Sequence, residues 1–107
     1  MKIAIYPLAE TDIIRQFRYY LVDRDAPDAA FRFRDAVQAS MEQLKAHPRM
    51  GVLQRGGING LRSWPVKGFE QIRIYYLERA DGVHVLRVLD GRRNVRRLLN
   101  PGNTRRS

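Results

Sequence analysis

Two runs rich in β-branched, aromatic and aliphatic residues, 71–78 and 83–89, flank the dipeptide Asp81-Gly82. Asp-Gly between strand-like runs signals a two-residue hairpin, because Asp tolerates and Gly freely adopts the backbone angles that such a turn needs. The spacing predicts an antiparallel β-hairpin, and the rest of the chain must fold around it. Residues 83–89 are nearly all apolar, which predicts a central strand covered on both faces. Alternation puts Ile72, Ile74 and Tyr76 on one face of the partner strand and Arg73, Tyr75 and Leu77 on the other. In 83–89 it sets His84, Leu86 and Val88 against Val85, Arg87 and Leu89. Residues 61–66 form a third, shorter run whose Pro65 predicts an edge strand or a bulge.

The first half reads as helix. A short strand at 2–6 is closed by Pro7. Thr11 is then the expected cap of a helix whose apolar positions are Ile13, Ile14, Phe17, Tyr20 and Leu21, with Asp12 favourable near its positive end. The segment 23–28, ending in Pro27 and Asp28, breaks that pattern and starts a second helix. Here Ala30, Phe33, Val37, Met41 and Leu44 step by three and four, framed by Arg32, Arg34, Asp35, Gln38 and Glu42. His47-Pro48 ends it. So short a break predicts an antiparallel helical hairpin. Residues 50–60, with four glycines, are expected to form a loop. The fold class is α+β: an N-terminal strand and a helical hairpin packed on a mostly antiparallel sheet. At 107 residues the chain fits one domain, expected over 1–99, with a tail at 100–107.

Charge narrows the partners. Residues 1–50 carry eight basic and seven acidic side chains; residues 51–107 carry twelve and four, and the whole chain is +9. Only Lys2, Lys45 and Lys67 are lysines, so the cations are mostly forked guanidinium donors suited to phosphates and carboxylates. Arg62, Trp64, Arg73, Tyr75 and Arg87 are expected to line one open sheet face able to hold phosphates, stack bases or clamp an acidic helix. Arg87 has a second reading, as a partly buried guanidinium paired to a carboxylate such as Glu70 or Asp90. Catalytic patterns are sparse. There is no cysteine, and neither His47 nor His84 has a ligand spacing. Asp23, Asp25 and Asp28 sit at a helix break, where capping accounts for them. No phosphate-loop, dinucleotide-glycine or serine-nucleophile motif is present. No cofactor or metal is expected, and no run approaches the length of a membrane span. The cytoplasm is the expected compartment.

Several segments carry a family resemblance: Ile3-Ala4-Ile5-Tyr6-Pro7-Leu8-Ala9 with Asp12-Ile13, then Leu61-Arg62, then Ile72-Arg73-Ile74-Tyr75-Tyr76, and above all Val85-Leu86-Arg87-Val88-Leu89 followed by Arg92-Arg93-Asn94-Val95. In their order and spacing, over about residues 2–99, the chain resembles the RelE/ParE superfamily of bacterial type II toxin–antitoxin toxins, and its ParE branch most. The resemblance implies a growth-inhibiting, plasmid-stabilising toxin that an acidic antitoxin neutralises. ParE-like members target DNA gyrase; RelE-like members cleave mRNA on the ribosome. For the cleavage reading, Arg62, Arg73 and Arg87 are the catalytic candidates. However, Asp90 stands where many relatives have His, and no Tyr follows Tyr76. Arginine stays protonated and makes a poor general base. The resemblance therefore implies a gyrase-directed, non-enzymatic toxin, with an mRNA endoribonuclease and a non-toxic basic binding module as alternatives. The expected partner surface comprises the helical hairpin, the five residues of the open face, and Arg92, Arg93, Arg96 and Arg97 in the segment 92–99.

Overall fold

The computed structural model describes residues 2–93. A five-stranded sheet has the order β1-β5-β4-β3-β2, with β1 (Lys2–Ile5), β2 (Val52–Leu53), β3 (Arg62–Val66), β4 (Phe69–Arg79) and β5 (Gly82–Asp90). Every neighbouring pair is antiparallel except β1–β5, which is parallel. The hairpin read from Asp81-Gly82 is therefore the centre of the sheet. Gly82 has φ +139°, and an added Cβ would collide with the main chain of Lys2, so the position serves both the turn and the seat of β1.

Two helices cover one face. Helix α1 (Pro7–Arg18) continues into a π-helical turn (Tyr19–Asp23), and α2 (Pro27–Ala46) returns antiparallel. The α2 stripe of Ala30, Phe33, Val37, Met41 and Leu44 is buried throughout. It packs with Val66, Ile72, Ile74, Tyr76, Val83, Val85 and Val88 from the sheet. Tyr76 is locked in this core: its hydroxyl donates to the Pro48 carbonyl at 2.7 Å and accepts the Gly51 N–H at 3.0 Å. A Cβ on Gly51 would strike that hydroxyl, so glycine is required there for close approach. A second apolar cluster, Leu61, Tyr75, Leu77, Leu86 and Leu89, lies on the far side, with Tyr6 and Ile58 packed against it.

Four local expectations change. Helix α1 begins at Pro7, not at Thr11; proline's fixed φ suits a first helical position, and Thr11 lies inside, donating to the Pro7 carbonyl. Ile14 leaves the expected apolar stripe and is 58% exposed, because adjacent Ile13 and Ile14 cannot both face the sheet. The glycine-rich loop holds a short strand, β2, pairing Val52 with Ser63 and Leu53 with Arg62. Finally, the register between β4 and β5 shifts at Tyr75/Tyr76, so Leu86 is an extra residue in β5. This bulge breaks strict alternation. Val83, Val85 and then Val88 face the helices, while Leu86 and Leu89 face the far side.

Candidate functional site

The expected five-residue face does not assemble. Arg62 pairs in register with Tyr76 and Trp64 with Ile74, which places both on the helix-covered face. Arg62 donates to the Gly51 carbonyl at 2.8 Å and the Arg49 carbonyl at 3.3 Å, and Trp64 packs on the main core. Arg73 and Tyr75 lie on the opposite face. There Arg73 donates to the Ser63 hydroxyl at 2.9 Å, which also accepts from the Gln54 amide. Tyr75 is buried, and burial pushes its phenol above the usual range.

Arg87 is held by an acid that the sequence does not single out. Its Nε and one Nη meet the two oxygens of Asp12 at 2.8 and 2.9 Å, and the side chains are 14% and 3% exposed. Asp12 comes from α1, 75 positions earlier in the chain. Strand β1 ends at Ile5, so the edge of β5 beyond Val85 lacks a strand partner. The Asp12 carboxylate fills that gap by also accepting the Val88 N–H at 3.0 Å. Neither Glu70 nor Asp90, the expected partners, is involved. The hydrogen bonds to Asp12 hold the guanidinium still further above its usual range, against the effect of burial.

At the end of β5, Arg92 forks onto Asp90 at 2.7 and 3.0 Å, and this holds the Asp90 carboxyl below its usual range. Arg93 is exposed, and Arg96 and Arg97 lie outside the described residues. A Tyr6–His84–Asp81 chain, with both links 2.9 Å, is a polar constellation that sequence reading missed. Its members lie 78 and 3 positions apart in sequence, a spacing that carries no motif. Among the described residues no guanidinium is hydrogen-bonded to any of the three, and no group of three or more His, Asp or Glu is placed to hold a metal ion.

The most exposed large apolar residues on the helical hairpin are Ile14 and Val22, at 58% and 64% exposure. With Thr11, Arg15, Arg18, Tyr19 and the acidic Asp23 they line a groove of about 390 Å³. Neither arginine has an acidic partner among the described residues. The groove thus sets exposed aliphatic side chains beside two guanidinium groups. No helix among the described residues is long and apolar enough to cross a membrane.

A helical hairpin laid on one face of a mostly antiparallel sheet, with a parallel N-terminal edge strand, defines the class of fold. A solved structure described as the chromosomal ParDE TA system from P. aeruginosa shares it, with a TM-score of 0.66 and 13% identity over 82% of this chain and 92% of that one. The model of the ParE toxin of the type II toxin–antitoxin system parDE matches residues 3–95. The chain belongs to that family and is a ParE-type toxin. No curated protein sequence matches it.

Proposed function

We propose that this toxin acts by binding rather than by catalysis, with DNA gyrase as its target, and that a cognate antitoxin neutralises it. One observation carries the non-enzymatic reading. Arg62, Arg73 and Arg87, the guanidinium groups an mRNA-cleaving centre would need, occupy three different environments. They are held respectively by main-chain carbonyls, by Ser63 and by Asp12. Phosphoryl chemistry on RNA requires cations and a proton-transfer group aimed at one point. The antitoxin's expected contact is a segment with acidic side chains beside aliphatic anchors, seated on Ile14 and Val22 with its carboxylates toward Arg15 and Arg18. Exposed Arg93 and the segment that follows it are the second candidate surface.

The test is a supercoiling assay with the purified toxin. Inhibition that the antitoxin relieves is the expected result; full gyrase activity in toxin excess would overturn the target. Toeprinting on translated mRNA checks the ribonuclease alternative, for which new cleavage sites would be required. Induction without antitoxin should arrest growth with filamentation, whereas normal growth would favour a binding module without toxicity. Ile14→Asp combined with Arg18→Glu should abolish antitoxin protection while leaving the fold intact.

A further inference from the structure

We propose that the cleft between the π-helical turn and the β3–β4 hairpin is a binding site for a nucleoside monophosphate. The cleft has a volume of about 660 Å³, within the range of small-molecule sites. Its shape comes from the π-helical turn, a feature that recurs at functional sites. Within that turn the Tyr19 and Tyr20 rings meet edge to face, with centroids 5.4 Å apart. Tyr20 enters the core against Phe33 and Phe69, with ring centroids 5.7 and 5.4 Å away, and so forms a fixed wall. Tyr19 stays 39% exposed and lines the cleft.

The polar groups define the ligand. Arg24 has no acidic partner among the described residues; its one contact is the Tyr19 hydroxyl at 3.4 Å, which favours its charged form. A free guanidinium beside an accessible phenol ring suits a phosphate attached to a flat base. The Gln16 and Gln71 side chains, from α1 and β4, have no hydrogen-bond partner among the described residues. Each offers a donor and an acceptor, the pair that a base edge presents in return. Glu70 uses one oxygen on the Gly68 N–H and keeps the other for a ring or exocyclic N–H. Charge then limits the phosphate count. Arg92 is already bound to Asp90, so Arg24 is the one uncommitted cation of the cleft, and it stands at a helix C-terminus whose carbonyls repel anions. With the Glu70 and Asp90 carboxylates also lining the cleft, one phosphate fits and three do not.

The experiment is NMR titration of the full chain with the four 5′-nucleoside monophosphates, the matching nucleosides, a triphosphate and inorganic phosphate. At least one monophosphate should bind with a Kd of roughly 0.1–5 mM, shifting the amides of Gln16, Tyr19, Arg24 and Gln71. The triphosphate, the nucleoside and phosphate alone should each bind more weakly. Arg24→Gln should weaken the best monophosphate by about tenfold or more, and Gln71→Ala by a smaller factor, with Arg55→Gln as the unaffected control. Thermal unfolding midpoints of all three should match the parent, since each side chain is exposed or lies at the surface. The proposal fails if no monophosphate shifts the cleft amides at about 10 mM. It also fails if inorganic phosphate matches the nucleotide, if Arg24→Gln binds normally, or if an acidic peptide fills the cleft and no nucleotide does.

Discussion

Arg87 and Arg24 have the same side chain in opposite circumstances. Arg87 sits at the edge of β5 beneath α1, nearly buried, with a carboxylate gripping both arms of its fork. Arg24 stands at the end of the π-helical turn, exposed to solvent, with one long contact to a phenol. The first arginine joins a helix to a sheet edge, and the second is left for something outside the chain. The difference lies in whether the fold brings an acid to the cation, and a count of cations in the sequence carries no such information.

The comparison breaks first at the buried end. Arg87→Ala should cost about 3–5 kcal/mol in urea unfolding, because Asp12 would remain buried and unpaired. Asp12→Ala should cost at least as much, since it also strands the Val88 N–H. A loss of under about 1 kcal/mol in either would make the junction as dispensable as a surface pair. Loss of toxicity in Arg87→Ala would then follow from unfolding, not from a missing contact to the target.

Tyr76→Phe extends the argument to a neutral group. Its buried Gly51 N–H and half-buried Pro48 carbonyl partners would lose their bond, at about 1–3 kcal/mol. The buried phenols also set an alkaline limit. Burial raises Tyr75 and Tyr76 above their unfolded value, so above about pH 10 the unfolded chain releases protons that the native one retains. Stability should be full below that pH and fall as pH rises through the folded values, and the Tyr76→Phe variant should show a shallower alkaline slope.

At the open end the effects shrink and one changes sign. Asp25, two residues past the π-helical turn, has φ +46°, a conformation that costs a residue with a Cβ roughly 1 kcal/mol. Asp25→Gly should therefore stabilise the protein by about 0.5–1 kcal/mol in thermal or urea unfolding. Arg24→Gln should move stability by less than about 0.5 kcal/mol. A large loss there would erase the contrast between the two arginines.

The central hairpin, the α2 stripe and the helix-on-sheet layering were legible because each rests on local periodicity. The Asp81-Gly82 turn and the 30-33-37-41-44 spacing admit few alternatives. The functional face was not legible, and the reason is geometric. Leu86-Arg87-Val88-Leu89 is apolar on both sides of one arginine, so nothing in the pattern marks where the bulge interrupts alternation. One inserted residue redirects everything after it. The placement of Arg62 and Trp64 depended on the register of β3, which its short run and Pro65 left free. Asp12 reads as a helix-start acid until α1 is laid against β5. The π-helical turn was equally hidden, since Tyr19-Tyr20 fits a regular helix in either orientation. In each case the missing information was a tertiary pairing between distant segments.

The parallel seat of β1 on β5 bears on how the chain is made. Lys2 to Ile5 leave the ribosome well before their hydrogen-bonding partners, Gly82 to Val85, which belong to the last strand described. At about 5–20 residues per second, β1 waits several seconds for its template. During that interval α1 has no β5 edge to clasp and Asp12 has no guanidinium to receive. The nascent protein must tolerate an exposed helical pair until its closing strand arrives, and a chaperone or an early-binding antitoxin would meet that surface before the finished toxin exists.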